Sequence, residues 1–305
     1  MLYDVIIIGN GPAGLTAAIY GMRAGLKTLV LSDNPMSGGQ IATTYEVDNY
    51  PGLPKISGME LGDKFEEHAK ALGAEFQQGS VSEIEDRGDY KVLHTDGGEL
   101  ETKTVIISIG ADHRKLGVPG EKELTGMGVS YCATCDGAFF RNKEVAVVGG
   151  GDVALEDAIF LSRFASKVYL IHRRDEFRGA AVLQDQVRAN EKIEIIYDTV
   201  VDEVVGKMSV EALQLSNKKT GEKTTLPLQG VFMAVGTDPN VEGMAGLPEQ
   251  DARGYLIAGE DCATSIPGIY AAGDVRTKQL RQVITAAADG ANAITSIEKY
   301  LNGQK

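Results

Sequence analysis

Two short glycine-rich segments, at 4–14 and 144–154, constrain the fold of this chain more than any other feature of its sequence. The first reads DVIIIGNGPAG and the second reads EVAVVGGGDVA. In each, an apolar run typical of a buried strand leads into a glycine-rich turn, and apolar residues at helical spacing follow. This strand–turn–helix pattern predicts a dinucleotide-binding fold at both places.

The small residues of these turns have separate functions. Gly9 permits the tight turn, Gly11 lets a pyrophosphate approach the backbone, and Gly14 brings the helix against the strand. The N-terminus of the helix then presents its N–H groups to the phosphates. The second turn places its equivalents at Gly149, Gly151 and Ala154.

The two halves of the chain agree beyond the glycine turns. Ser32 and His172 stand at the same distance after the first glycine of their turns, at the ends of the apolar strands TLVLSD and KVYLIH. Later apolar strands, TVIISIG and GVFMAVG, end in Gly110 and Gly236. The repeat predicts an α/β protein with two Rossmann-like nucleotide-binding domains.

The residues at the two strand ends differ in charge. Asp33 follows the first strand, one residue beyond the usual place, and an acid there suits a ribose hydroxyl. The second strand runs into HRRDEFR, which supplies His172, Arg173, Arg174 and Arg178. Guanidinium groups bind a 2′-phosphate through charge-assisted bonds, so this cluster favours NADPH. The alternative is a solvated basic patch.

The charge of the chain argues against nucleic acid and membrane surfaces as partners. Acidic side chains outnumber basic ones 43 to 30, for a net charge of −13. No apolar run approaches the length of a membrane span. A strand begins at Asp4, where a targeting sequence would lie, and three cysteines make no disulfide framework. We therefore expect a cytoplasmic protein.

Two of the three cysteines form a CxxC pair, Cys132 and Cys135, and Asp136 follows at once. Such a pair is half of a zinc site, a redox dithiol, or a chance occurrence. A second CxxC or a Cys/His pair at ligand spacing is absent from the sequence, and the four histidines lie in separate segments. We therefore expect no metal site.

The C-terminal segment 269–290, IYAAGDVRTKQLRQVITAAADG, predicts a strand, a turn at Gly273 and Asp274, and a helix from Val283 onward. A carboxylate at Asp274 suits either a helix N-cap or a hydroxyl of a bound ligand.

With these motifs in place, the sequence resembles the low-molecular-weight thioredoxin reductases over essentially its whole length. The matching segments are GNGPAG, SGGQ (37–40), CATCDG (132–137), GGGDVA, HRRDEFR, SIPGIYAAGDV (265–275) and RQV (281–283). The resemblance implies a flavoprotein homodimer. Its FAD domain would comprise residues 1–114 and 245–305, and an NADPH domain of residues 115–244 would be inserted between them.

The resemblance also implies the residues of both nucleotide sites. FAD would be held by Gly9, Gly11, Gly14, the loop from Ser32 and Asp33 through Gly38, Gly39 and Gln40, Asn49, Gly273, Asp274, Arg281, Gln282 and Val283. NADPH would be held by Gly149, Gly151, Asp152, Ala154, His172, Arg173, Arg174 and Arg178.

In the implied reaction, electrons pass from NADPH through FAD to a redox-active Cys132–Cys135 disulfide and then to thioredoxin. Asp136 would move the proton that thiol–thiolate interchange requires, Cys135 would face the flavin, and Cys262 would be an inert thiol. A reductase of another disulfide protein, glutaredoxin-like or peroxidase-linked, is the enzyme alternative. A non-catalytic flavin-binding sensor is the alternative from another class.

The sequence departs from the family pattern at three positions. Met127 stands where many members carry arginine, and Ala138 stands where many carry an aromatic residue, both beside the partner-docking surface. Asp152 replaces the commoner Asn or Ser in the second glycine turn. The first two positions leave the protein partner open, and the third bears on the affinity for NADPH.

Overall fold

The structure is a computed structural model and describes residues 2–44, 47 and 49–303. The chain forms two compact units, of which unit 1 contains Met1–Asp112 and Asp238–Lys305, and unit 2 contains His113–Thr237. The prediction of an α/β fold with two Rossmann-like domains is confirmed.

The described residues form seventeen strands and six α-helices. The strands are β1 (Leu2–Ile8), β2 (Thr28–Ser32), β3 (Glu75–Gln78), β4 (Val81–Asp86), β5 (Lys91–Thr95), β6 (Gly98–Ile107), β7 (Ala111–His113), β8 (Val129–Ser130), β9 (Glu144–Gly149), β10 (Lys167–Ile171), β11 (Ile193–Ile196), β12 (Thr199–Gly206), β13 (Val210–Asn217), β14 (Lys223–Pro227), β15 (Gly230–Ala234), β16 (Thr237–Pro239) and β17 (Ile269–Ala271). The α-helices are α1 (Pro12–Arg23), α2 (Gly58–Ala71), α3 (Ala133–Asp136), α4 (Asp152–Leu161), α5 (Ala181–Ala189) and α6 (Val283–Gly303).

Unit 1 is built on a sheet in the order β3-β2-β1-β6-β5-β4, in which β17 also pairs with β6. Strands β3, β2, β1, β6 and β17 run parallel, whereas β5 is antiparallel to the first half of β6 and forms an antiparallel hairpin with β4. The carboxyl ends of β1, β2, β6 and β17 therefore meet at one edge of the sheet, which is where such folds bind nucleotides.

Alternation along β1 divides its apolar side chains between two cores. Val5 and Ile7 pack with residues of α1 and α6, whereas Ile6 and Ile8 pack with residues of β2, β4 and β17. A strand that is buried on both faces requires the continuous apolar run that the sequence shows.

Unit 2 repeats this plan with an all-parallel sheet in the order β11-β10-β9-β15-β8. Helix α4 follows β9 through the second glycine turn, and its Ala154 and Leu155 pack on Val145 and Val147 of that strand. The opposite face of the sheet packs on the three-stranded sheet β12-β13-β14.

The second boundary between the compact units follows Thr237. The divisions fall at 112/113 and 237/238, compared with 114/115 and 244/245 from the sequence. The reason is that Val241 and Met244 pack against the unit 1 core that contains Ile8 and Ile84. Residues 238–244 thus belong to unit 1.

Candidate functional site

The first glycine turn joins β1 to α1, and its three glycines meet different surroundings. Gly9 has φ 108°, and a Cβ on it would lie 2.5 Å from the Ser108 carbonyl oxygen. A Cβ on Gly14 would lie 2.0 Å from the Gly9 carbonyl oxygen. In contrast, no atom of the described residues comes within 4 Å of a Cβ position on Gly11, the N-cap of α1. Close packing therefore requires glycine at positions 9 and 14. Gly11 leaves the approach to the N-terminus of α1 open.

The loop after β2 folds back onto this turn through Asn10. The Asn10 side-chain amide donates to the carbonyl oxygens of Asn34 (2.9 Å) and Met36 (3.1 Å). The Gly38 amide donates to the Asn10 carbonyl oxygen at 3.0 Å. Asn10 was not among the predicted residues, because its partners lie 24 and 26 residues away along the chain.

Gly39, one of the predicted flavin residues of this loop, lies beside the first glycine turn. A Cβ on Gly39, which has φ 56°, would lie 3.4 Å from Gly11 Cα. The Ser32 hydroxyl accepts the amide of Asn34 at 3.2 Å, and the Asp33 side chain is exposed. The structure thus brings the SGGQ loop against the open side of the first turn.

The turn after β17 carries a buried oxygen that lacks a partner. Gly273 has φ 79°, and Asp274 follows it. Asp274 Oδ1 is buried and accepts no hydrogen bond from any described residue. Burial raises the pKa of this carboxyl, Lys278 and Arg281 oppose the increase, and Asp289 adds to it. A buried acceptor without a donor suits a hydroxyl that arrives with a ligand.

A cluster of buried charges fixes this turn to α6. Asp289 of α6 is 4% exposed and accepts hydrogen bonds from Arg276, Lys278 and the Gly273 amide. Burial alone would raise the Asp289 pKa, but hydrogen bonds from the two cations hold it below its ordinary value. The sequence analysis did not identify this cluster, since its members come together only when α6 packs beside the turn.

The remaining predicted flavin residues also lie in unit 1. Asn49 Nδ2 donates to Gln282 Oε1 at 3.0 Å, which joins two of them directly. The Arg281 guanidinium lies 4.3 Å above the Tyr255 ring, and Val283 begins α6. Gln40 Nε2 lies 3.5 Å from Asp112 Oδ1.

These features of unit 1 fit a flavin dinucleotide. The open helix N-terminus at Gly11 suits a pyrophosphate, and the unpartnered Asp274 Oδ1 suits a sugar-type hydroxyl. The first feature lies at the carboxyl end of β1, and the second lies at the carboxyl end of β17. Both strands run parallel to β6, which lies between them, so the two features share one edge of the sheet.

The second glycine turn, in unit 2, joins β9 to α4 in the same way. A Cβ on Gly149 would lie 2.4 Å from the Ala234 carbonyl oxygen and 2.6 Å from the Ala154 Cβ. No atom of the described residues lies within 4 Å of a Cβ position on Gly151, the N-cap of α4. The methyl group of Ala154 thus lies against Gly149, where a side chain at position 149 would clash with it.

His172 has different surroundings from the arginines beside it. It is 4% exposed, its Nε2 lies 3.0 Å from the Glu176 carbonyl oxygen, and its ring lies against Gly150. Burial is the main cause that lowers its pKa. The imidazole is therefore neutral at physiological pH, and its ring packs against the glycine turn at Gly150.

The three arginines after β10 are exposed. Among the described residues, none of Arg173, Arg174 and Arg178 forms an ion pair. The nearby Asp175 and Asp198 are instead paired with Lys219. Asp152 lies on the same edge, where its Oδ1 accepts the Ala180 amide at 2.6 Å. Ala180 is the N-cap of α5, so Asp152, which replaces the commoner Asn or Ser, fixes the position of the first turn of that helix.

The CxxC pair lies in unit 2, and its two sulfurs form a disulfide. Cys132 is the N-cap of α3, and its Sγ accepts the Cys135 amide at 3.2 Å. Since a disulfide has no S–H group, the Thr134 hydroxyl, 3.4 Å away, is the donor in the second contact with Cys132 Sγ. Two donors are thus aimed at the sulfur of Cys132, where they stabilise negative charge.

Asp136 completes this centre. Burial raises the pKa of its carboxyl, and a hydrogen bond from the Ser130 hydroxyl to Oδ2 at 2.7 Å opposes the increase. An acid whose pKa is moved towards neutral pH is suited to proton transfer. Cys262 differs, because it is fully buried and burial raises its thiol pKa to about 12. It is an unreactive core thiol, as expected.

One further carboxyl of unit 2 lies outside the predicted set. Burial, with a smaller contribution from Glu156, raises the pKa of Asp157 on α4 to about 7. No sequence pattern distinguished it from the exposed acid beside it.

The described residues contain no group of three or more His, Cys, Asp or Glu residues arranged to hold a metal ion. No described helix combines the length and apolar character that crossing a membrane requires.

Comparison with known proteins places the chain in a family. The pyridine nucleotide-disulphide oxidoreductase family matches residues 3–290. A thioredoxin reductase of Listeria innocua is 45% identical over 305 residues, which cover 100% of this chain and 95% of that protein. One of Bacillus subtilis is 46% identical over 301 residues, which cover 98% and 95%. The crystal structure of the Streptococcus pyogenes thioredoxin reductase shares 46% identity, 99% coverage of both chains and a TM-score of 0.91. The chain therefore belongs to the pyridine nucleotide-disulphide oxidoreductase family and, within it, to the low-molecular-weight thioredoxin reductases.

Proposed function

We propose that this chain is an NADPH-dependent flavoprotein that reduces the disulfide of thioredoxin through Cys132 and Cys135. The observation that carries the proposal is the disulfide itself. It lies in the unit that also holds the second dinucleotide turn, beside a carboxyl whose raised pKa suits proton transfer. The names of the full-length relatives support the same reaction.

For the flavin we propose FAD, bound in unit 1. The open N-terminus of α1 would hold the pyrophosphate, and Asp274 Oδ1 would accept a ribityl or ribose hydroxyl. Bound FAD would supply a carrier that accepts a hydride from a nicotinamide and passes two electrons to a disulfide. The Asp289 cluster would keep the Asp274 turn in place.

For the nucleotide we propose NADPH, bound in unit 2. The 2′-phosphate would be held by Arg173 and Arg174, with Arg178 close by in the chain. Their freedom from ion pairs within the described residues supports this role, because no internal anion competes for their charge. In a chain of net charge −13, an exposed cationic cluster at this strand end suits an anionic ligand.

The reduced pair would act by thiol–disulfide exchange. The Cys132 thiolate, stabilised by the Cys135 amide and the Thr134 hydroxyl, attacks one sulfur of the thioredoxin disulfide and forms a mixed disulfide. Cys135 then attacks Cys132 Sγ, which releases the second thioredoxin sulfur and re-forms the Cys132–Cys135 bond. Asp136 passes a proton to the leaving thiolate.

We further propose a cytoplasmic homodimer that binds neither nucleic acid nor membrane. The net charge of −13 supports the last two points, because phosphate backbones and anionic lipid repel such a surface. Met127 and Ala138, the two departures beside the docking surface, are both exposed. A different disulfide protein is therefore the second candidate partner.

The test is NADPH oxidation by the purified protein with a panel of disulfide substrates. We expect oxidation with at least one thioredoxin, and little with a glutaredoxin-like protein or a peroxidase. If a peroxidase supports NADPH oxidation and no thioredoxin of the panel does, the partner is a disulfide protein of the second class. No oxidation with any disulfide protein, by a protein that binds FAD, would refute it.

A further inference from the structure

The Ser130 hydroxyl occupies the centre of the hydrogen-bond network around the CxxC pair. It lies 2.7 Å from Asp136 Oδ2, 3.1 Å from the Cys132 amide nitrogen and 3.3 Å from the Cys132 carbonyl oxygen. Ser130 is 5% exposed, so water does not substitute for these partners. It ends β8, where it pairs in register with Phe232 of β15 at the carboxyl edge of the parallel sheet. The hydroxyl is thus held on a rigid support.

A hydroxyl has one proton to donate and two lone pairs that accept. When Asp136 is ionised, Ser130 donates to Oδ2 and accepts the Cys132 amide. When Asp136 is protonated, its own O–H donates to Ser130 Oγ, which still accepts the Cys132 amide. The serine proton then turns to the Cys132 carbonyl oxygen, at 3.3 Å. Both protonation states of Asp136 are therefore fully hydrogen-bonded without movement of a heavy atom.

We propose that Ser130 is the positioning residue of the dithiol centre, which keeps the Asp136 carboxyl in one place through both halves of its proton transfer. The role rests on the proposed function, since Asp136 must release a proton and recover it in each cycle. A partner group that could only donate would not accept the carboxyl proton, so Asp136 would lose this hydrogen bond whenever it became protonated.

The steps of the exchange balance around this pair. Two electrons from a reduced flavin break the Sγ–Sγ bond into two thiolates, and Asp136 gives its proton to one of them. When Cys132 attacks the thioredoxin disulfide, one S–S bond forms as another breaks. The proton on the second cysteine returns to Asp136 as that cysteine attacks in turn. Asp136 then passes this proton to the released thioredoxin thiolate, and solvent protonates the other thioredoxin thiolate and restores the proton of Asp136 for the next cycle.

Among the described residues, no charged group contributes to the shift of the Asp136 pKa. The Asp136 pKa is set by burial, which raises it, and by the Ser130 hydrogen bond, which lowers it. The acids on α4, the helix packed against α3, are Asp152, Glu156 and Asp157, and none of them contributes to the shift. Removal of the Ser130 hydroxyl therefore leaves burial as the remaining cause of the shift in the Asp136 pKa.

The test is an infrared pH titration of the protonated carboxyl band of Asp136 in the flavin-loaded protein. The band is assigned as the one that Asp136→Asn removes. We expect Ser130→Ala to raise the midpoint by about one pH unit, because the charge-assisted hydrogen bond that the ionised form loses is stronger than the neutral hydrogen bond that the protonated form loses. Ser130→Thr keeps the hydroxyl and should restore the midpoint. Ser162→Ala, which removes another buried hydroxyl of unit 2 from the end of α4, should leave it unchanged.

An unchanged Asp136 midpoint in folded Ser130→Ala protein would overturn the inference. Should that variant fail to fold, Ser130→Gly removes the same hydroxyl and is judged by the same midpoint. The titration reports on Asp136 whatever the protein partner is. Failure of the wild-type protein to reduce thioredoxin would therefore refute the proposed function and leave this result standing. The rate of thioredoxin reduction gives a second readout, because Asp136 must be protonated to act as an acid and the alkaline limb of the pH–rate profile should move with the infrared midpoint.

Discussion

Arg276 and Asp289 form a bidentate ion pair beside the Gly273 turn, with Nη2 to Oδ1 at 2.7 Å and Nε to Oδ2 at 2.9 Å. Lys278 Nζ and the Gly273 amide donate to the same Oδ2 at 2.8 and 2.9 Å. Because one carboxylate of α6 gathers all these donors, the helix and the turn that carries Asp274 are fixed to each other. The geometry of the proposed flavin site therefore depends on a residue that need not touch the flavin.

We expect Asp289→Ala to lower the free energy of unfolding of the flavin-free protein by about 3–5 kcal/mol, because it leaves buried cations without their partner. Urea denaturation at pH 7 measures the change. The Asp289 pKa is lowered in the folded protein, so its contribution is present above the ordinary aspartate pKa and is lost as the pH falls below it. Asp63→Asn, an exposed acid on α2, should change stability by less than about 0.5 kcal/mol. Equal effects of the two variants would contradict the assignment.

Asp274→Ala should separate ligand binding from protein stability. We expect FAD affinity to fall about 10- to 100-fold, since a hydrogen bond to a buried carboxyl oxygen is lost. The flavin-free protein should be as stable as wild type or more so, because Asp274 Oδ1 has no partner among the described residues. Titration of flavin-free protein with FAD and urea denaturation give the two values. A loss of stability without a loss of FAD affinity would make Asp274 a structural cap.

Replacement of Arg173 and Arg174 together by alanine should reduce the preference for NADPH over NADH by about 100-fold or more, because each charge-assisted bond contributes about 1.5–3 kcal/mol. The ratio of kcat/KM for the two nucleotides measures the preference. Arg163→Ala removes an exposed arginine of the same unit, after the end of α4, and should not alter the ratio. An unchanged ratio in the double variant would mean that the cluster is a solvated patch.

The raised pKa of Asp157 predicts a specific dependence of stability on pH. The folded protein holds this proton up to about pH 7, whereas the unfolded chain releases it near the ordinary aspartate pKa of 3.8. The free energy of unfolding therefore falls as the pH rises through this interval. Asp157→Asn should stabilise the protein at pH 8 by about 1–3 kcal/mol and change little near pH 4. Urea denaturation at the two pH values checks this, and a gain at pH 4 alone would contradict it.

The sequence predicts well the parts of the structure that depend on local pattern. The apolar runs predict β1, β2, β9 and β10, and each glycine turn is followed by its helix. Short-range spacing is sufficient here, because buried parallel strands and Gly-x-Gly turns carry their own signals. The position of Val283 as the first residue of α6 follows from the same kind of pattern.

Residues that act through long-range contacts were not predictable. Asn10 and Asp289 bond groups that lie distant in sequence, and Ser130 bonds Asp136 of a different element, so that only the folded chain brings these groups together. His172 shows the opposite case, since it is adjacent to the arginine cluster in sequence but is buried under Gly150. The end of the inserted unit depended on the packing of Val241 and Met244, which a glycine-based boundary misses.

The central claim is that Cys132 and Cys135 carry the electrons to thioredoxin, and single cysteine variants test it most directly. We expect Cys132→Ser and Cys135→Ser to abolish thioredoxin-dependent NADPH oxidation while FAD binding and bleaching of the flavin by NADPH remain intact. Cys262→Ser is the matched control and should keep its activity, since that thiol is fully buried and its pKa is raised to about 12. Full thioredoxin-reducing activity in either of the first two variants would contradict the claim.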